Sequence, residues 1–247
     1  MTGKVGYISL CGDGRTGWLI PCEDEKRNHS MTQIRRKVAM LFSVLKDKYC
    51  IYQNGKFDIK FLMRYFKLPR TYFHIDSDTM QLSHSYNEEC GSGLKALAWK
   101  YTTFGGYDEE LDSFKNRTGI KNFLELPFDI VSKYAALDAV ATWQIENKLI
   151  EILKNFDPPT SCTVTGKRWT PFEYYREFLI PTINMFLDAE YYGMMIDLPR
   201  LREAHFGIMK DIDSLRKEIM ISTGPINIDS TDQLGSWMEK QGWPCIN

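Results

Sequence analysis

The stretch from Tyr49 to Phe66 constrains this chain more than any other. Tyr49, Cys50, Ile51 and Tyr52 form a short apolar run of strand formers, and Gln53, Asn54 and Gly55 supply turn chemistry. Phe57, Phe61, Leu62, Tyr65 and Phe66 then recur at helical spacing. The pattern predicts a buried strand, a tight turn and a helix. Asp58 falls in the first turn of that helix, just beyond the carboxyl end of the strand, which is where open α/β sheets bind ligands. Beside the amide of Asn54, a carboxylate there is suited to a divalent cation or a polar substrate. The competing account is an aspartate that complements the helix dipole.

A second stretch bears on that choice. Tyr134, Ala135, Ala136, Leu137 and Asp138 lie inside a long helical pattern, and Tyr134 and Asp138 share a face at i and i+4. Ala135, Ala136, Ala139 and Ala141 leave room for another backbone or a substrate to approach. An aspartate among alanines and a leucine is costly to bury without a partner, and a metal or a second polar group is the usual remedy.

Asn54-x-x-x-Asp58, followed by Tyr134-x-x-x-Asp138, resembles the second and third exonuclease motifs of the proofreading domain in family A (polymerase I-like) DNA polymerases. The order of intervening segments matches as well: Asp78-Thr79-Met80 opens one helix, the run from Gly93 to Ala98 opens another, and an acidic segment begins near Tyr107. The resemblance implies an α/β, ribonuclease H-like 3′-5′ exonuclease fold, with a mixed sheet flanked by helices, over residues 1–156. It implies that Asp58 and Asp138 are ligands for Mg²⁺ or Mn²⁺, which suit oxygen-rich carboxylate sites. By the same resemblance Tyr134 orients the attacking water, Asn54 and Gln53 hold the 3′ nucleotide of single-stranded DNA, and Tyr107 stacks on the terminal base. For Tyr107 an ordinary core or surface role stays equally open.

Composition sets outer bounds. The 247 residues have a net charge of −1, so global charge does not steer the chain to nucleic acid, and such a role must rest on a local patch. Lys56, Lys60, Arg64 and Lys67 form one candidate stripe; a solvated helix face is the favoured reading and a phosphate-binding stripe the other. Six cysteines without a C-x-x-C pair argue for reduced thiols in a cytosol-like compartment and against a zinc site or a disulfide frame, and the resemblance implies the cytoplasm of a bacterial cell or a phage-infected host. No apolar run is long enough to span a membrane, and no signal peptide is evident.

Along the chain, a hairpin is expected from Lys4–Cys11 and Gly17–Ile20, then a Ser30-capped helix from Thr32 to Lys46 and a short strand at Phe73–Ile75. Asp78 is read as the cap of a helix over Thr79–Tyr86, not as a metal ligand. Short helices follow at Leu94–Tyr101 and within Tyr107–Phe114. Pro127 starts the long helix that ends near Phe156. Residues 157–171, rich in Pro and Thr, read as a linker. Residues 172–247 are helical, and the run from Asn227 to Gly235 resembles the start of the polymerase domain in the same family, the thumb-base region. The tail is expected to be poorly buried, because the remainder of the polymerase is its packing partner.

The family's first motif, Asp-x-Glu, is missing. Asp108-x-Glu110 has the letters but lies in an acidic helix far along the chain. Truncation at both ends is the simplest account; a split gene or a degenerate domain are the others. Two functions therefore compete: a proofreading exonuclease, inactive as this piece, and a silent exonuclease-like scaffold that binds single-stranded DNA and braces a polymerase.

Overall fold

A computed structural model describes residues 4–22, 30–89, 91–156, 160–161 and 168–243. It divides into two compact units, 1–192 and 193–247.

The first unit opens with an antiparallel hairpin, β1 (Tyr7–Cys11) and β2 (Gly17–Pro21), with Ser9 opposite Leu19. Helix α1 (Met31–Leu45) begins at Ser30, where Ser30 and Gln33 close a capping box. Strand β3 (Ile51–Tyr52) leads through Gln53 and Asn54 into α2 (Gly55–Phe66), and pairs in parallel with β4 (Ser77–Asp78). Then come α3 (Thr79–Tyr86), α4 (Leu94–Tyr101), α5 (Glu109–Thr118) and α6 (Phe128–Lys154). A short pair, β5 (Thr160–Ser161) and β6 (Arg168–Trp169), precedes α7 (Pro171–Tyr174), a π turn (Tyr175–Leu179) and α8 (Ile180–Tyr192).

The fold is α/β and mostly helical. The strands form small separate pairs, and among the described residues no single mixed sheet joins β1–β2 to β3–β4. Helix α6 packs on the hairpin and on β3, and against α3 and α4. Its alanines serve the approach of another backbone: a side chain at Gly17 would lie 2.3 Å from the Ala136 carbonyl oxygen, so the hairpin can sit this close only with glycine there. One core cluster runs through the unit. It includes Val38 and Phe42 of α1, Ile59 and Met63 of α2, Leu82 of α3, Leu97 of α4, and Ile145 and Leu149 of α6.

Three expectations are corrected. Phe73–Ile75 is not a strand. The Asn184 side chain takes the strand partner's place, accepting from Ile75 N–H at 3.0 Å and donating to its carbonyl at 2.8 Å, and the ladder forms two residues later. The acidic helix starts at Glu109, which leaves Tyr107 in the preceding turn. The basic stripe on α2 is a solvated face only in part: Arg64 and Lys67 are exposed, but the stripe is tied to α8. Lys56 and Lys60 both bind Glu190 of α8, and Arg64 donates to the Tyr191 carbonyl at 3.2 Å.

The last of these moves the division of the chain. Most of the expected linker lies outside the described residues. The segment 172–192, expected to belong with the tail, is part of the first unit. Tyr175 and Leu187 are fully buried there, and Ile180 and Ile183 nearly so. Arg70 pairs with Asp188, and Arg176 donates to the Tyr49 hydroxyl at 2.8 Å and to the Asp76 carbonyl at 2.9 Å.

The second unit is helical, as the sequence predicts: α9 (Leu198–Thr223), capped by Asp197, and α10 (Thr231–Lys240), capped by Ser230. Arg216 pairs with Asp229 at 2.6 Å, and the Gln233 side chain accepts from Asn227 N–H at 2.9 Å. Neither helix has a buried residue, and Phe206, Leu215 and Ile221 are exposed. So much uncovered apolar surface is unusual for a monomer. Limited proteolysis is therefore expected to cleave within 193–243 first and to leave a resistant fragment ending near Tyr192. Equal resistance of the two units would contradict the exposed tail.

Candidate active site

Asn54 stands at the head of α2 in the left-handed region, with φ +58°. Asparagine tolerates this conformation better than most residues. At Gly55 a side chain would lie 2.6 Å from the Tyr52 Cβ, so the sharp exit from β3 needs glycine. The turn is locked by Asp78 at the end of β4. One Asp78 oxygen accepts from Asn54 N–H at 3.1 Å and from Met80 N–H at 3.0 Å, and the other accepts from Gly55 N–H at 2.8 Å. The single carboxylate thus caps α3, as the sequence predicts, and also holds the head of α2. Burial raises the Asp78 carboxyl, and those N–H groups pull it back.

Asp78 is held in turn from the far end of the first unit. Its N–H donates to the Tyr175 hydroxyl at 2.7 Å, and that hydroxyl lies 2.8 Å from Ser77 Oγ. Tyr175, 97 residues away in sequence, therefore fixes the turn that aims Asp58.

Asp58 and Asp138, 80 positions apart, come close enough that the charge of one raises the carboxyl of the other. Asp58 stays open to water, yet protein crowds it on most sides. That crowding first, then the charges of Asp78 and Asp138, push it up to about 6. Burial pushes Asp138 up to about 6 as well, against the hydrogen bonds of Tyr107 and Tyr134 and the charge of Lys95. Both tyrosine hydroxyls bond Asp138, and their rings stack at 5.8 Å. Burial and the Asp138 charge hold both phenols well above their ordinary values, so they stay protonated and donate.

The structure thus brings Asp58, Tyr134, Asp138 and Tyr107 together. Asn54 lies beside them with an exposed side chain that makes no capping bond. Gln53 is part of the framework: its amide donates to the Ser92 carbonyl at 2.8 Å and accepts from the Thr79 hydroxyl. Lys95 completes the wall. Its ammonium binds Asp108 at 2.8 Å and Asp112 at 3.2 Å and lies 5.7 Å from the Tyr134 ring centre. Sequence reading missed Lys95, Tyr175 and the bracing role of Asp78, because their partners are distant in sequence. Asp108 is paired with Lys95 and Glu110 with Lys133.

Residues 8–154 match a family described as 3′-5′ exonuclease. The chain is 30% identical over 182 residues to a DNA polymerase of Escherichia phage T5, covering 68% of this chain and 20% of that protein. It is 28% identical over 221 residues to a DNA polymerase of Bacillus phage SP01, covering 87% of this chain and 22% of that protein. The chain therefore matches about a fifth of the length of each of these relatives.

Proposed function

Because the chain belongs to the 3′-5′ exonuclease domain family of family A DNA polymerases, we propose that it is the proofreading part of such a polymerase, acting on the 3′ end of single-stranded DNA. Its compartment is then the cytoplasm in which that DNA is copied. No described helix is long and apolar enough to cross a membrane. The remaining partner is the rest of the polymerase, which would cover the apolar faces of α9 and α10.

The observation that carries the reading is the meeting of Asp58, Asp138 and Tyr134 with both carboxyls raised to about 6. Two neighbouring carboxylates whose charged forms burial disfavours are relieved by a cation, and an all-oxygen donor set fits Mg²⁺ or Mn²⁺. Asp58 and Asp138 would hold the ion. When bound, it supplies Lewis acidity toward the phosphate and a more acidic water, and the family uses two ions together. Tyr134, whose single hydroxyl hydrogen goes to Asp138, orients the water by accepting a hydrogen bond from it. Tyr107 fixes the Asp138 carboxylate and closes the site beside the terminal base. Asn54 contacts the 3′ nucleotide, with Gln53 shaping the wall behind it.

Two carboxylates are few for two ions. Asp78 is engaged by three backbone N–H groups, and Asp108 and Glu110 by lysines. This favours low activity in residues 1–247 alone, and it is the observation behind the second reading, a silent scaffold that binds single-stranded DNA.

Titration with Mn²⁺, followed by the paramagnetic resonance of the free ion, tests the metal site. One weak site is expected near neutral pH. Protons compete for both carboxyls below about pH 6, so affinity should fall at least tenfold by about pH 5. Asp58→Asn and Asp138→Asn should each remove the site. Mn²⁺ binding that is indifferent to Asp138→Asn would remove Asp138 from the ligand set.

A further inference from the structure

The site above lies at the carboxyl ends of β3 and β4. At their amino ends is a second cluster of a different chemical kind. Cys50 immediately precedes β3 and Asp76 immediately precedes β4. The Cys50 thiol, a His74 ring nitrogen and an Asp76 carboxylate oxygen all lie within 4.8 Å of one another. All three residues are partly buried, and His74 and Asp76 are about a third exposed, so an ion can enter.

We propose that Cys50, His74 and Asp76 form a zinc site that clips together the starts of β3 and β4. A thiolate, an imidazole and a carboxylate are borderline-soft, mixed S/N/O donors, which suit Zn²⁺ and are a poor match for the hard Mg²⁺ of an all-oxygen site.

The geometry is close to assembled. His74 Nε2 lies 2.8 Å from Asp76 Oδ2 and 2.9 Å from the Lys48 carbonyl. Both neighbours are acceptors, so Nε2 carries the hydrogen, and zinc would take the place of that proton. Cys50 Sγ lies 3.3 Å from the same Lys48 carbonyl, which accepts its S–H. Zinc bonds of about 2.0–2.3 Å set tetrahedral ligand atoms roughly 3.5 Å apart, so ligand atoms that already lie within 4.8 Å of one another need close by no more than about 1.3 Å on binding. A water takes the fourth position.

The surroundings already orient the ligands. Asp76 Oδ2 accepts from Cys50 N–H at 2.8 Å, a contact of the kind that aims a ligating carboxylate. Asp76 N–H and Ser77 N–H donate to the Cys50 carbonyl at 3.1 and 3.2 Å, so the two loops are tied by backbone as well. Arg176 holds the Asp76 carbonyl at 2.9 Å. The β3–β4 ladder is only two residues long on each side, and pairs this short are marginal without support. A clip at the amino ends would steady the strands whose carboxyl ends carry Asp78 and lead to Asp58.

The test is Co²⁺ substitution in the full 247-residue chain, stripped with a chelator and read by absorption. The expected result is one equivalent of Co²⁺ giving a thiolate-to-cobalt charge-transfer band, lost when Zn²⁺ is added. Cys50→Ser should abolish the band, and His74→Gln should weaken Co²⁺ binding at least tenfold. Asp58→Ala, which touches only the other site, should leave the band intact. No charge-transfer band in the wild-type chain with Co²⁺ in excess overturns the proposal, without recourse to any variant. So does a band of unchanged affinity in folded His74→Gln.

Discussion

Joined to a strand that carries an Asp-x-Glu pair, this chain is expected to shorten single-stranded DNA from its 3′ end in a Mg²⁺-dependent reaction, and Asp138→Ala is expected to slow that reaction at least about 100-fold. Removing a group that merely orients a metal ligand costs 10- to 100-fold in affinity or activity, so removing a ligand costs no less. The substitution also strips the Tyr107 and Tyr134 hydroxyls of their shared acceptor. Asp58→Ala should act similarly, since it removes the other member of the pair. Residues 1–247 alone should degrade the same DNA hardly at all. Vigorous metal-dependent degradation by the chain alone, lost on Asp58→Ala, would falsify the two-carboxylate account. It would mean that an acid now paired with lysine, Asp108 above all, turns to the metal when DNA is bound.

The second large effect is on stability. Tyr175→Ala should destabilise the first unit by about 3–5 kcal/mol, the usual cost of deleting a buried aromatic ring, and lower its Tm by roughly 10 °C. Tyr175 is fully buried. Tyr175→Phe isolates the hydroxyl. It leaves the Asp78 N–H and Ser77 Oγ without that partner inside the protein, at a cost of about 1–3 kcal/mol. Differential scanning calorimetry of the two variants separates ring from hydroxyl. If Tyr175→Ala unfolds at the wild-type temperature, the 171–192 helix is not part of the cooperative unit, and the division reverts to the 157–171 stretch. A shared consequence follows for the site: both variants loosen Asp78, hence the turn at Asn54 and Gly55, and should weaken Mn²⁺ binding at Asp58 without touching a ligand.

The basic stripe shows how a surface pattern can mislead. Four cations spaced along one face of α2 suit a phosphate backbone by sequence alone. In the fold two of them meet across the single carboxylate of Glu190, 130 or more residues away, and a third meets the Tyr191 carbonyl. A charge reads as free until its partner is known, and that partner arrives through the packing of α8.

The sequence by itself determined what rests on neighbours a few residues apart. The strand, turn and helix at Asp58, the i and i+4 pairing of Tyr134 with Asp138, the Ser30 and Asp78 caps, and the small-residue face of α6 are each written in fewer than twenty consecutive positions. Backbone geometry and local hydrogen bonds decide them wherever the segment folds. Only the tertiary structure decided which distant groups complete them. Tyr175 braces Asp78, Asn184 replaces a strand at Ile75, Tyr107 turns inward onto Asp138, and Glu190 gathers the lysines of α2. Those choices depend on burying Tyr175, Ile180, Ile183 and Leu187 in a core built mostly from residues before 154. Nothing within a short window of sequence records which of several apolar faces wins that place.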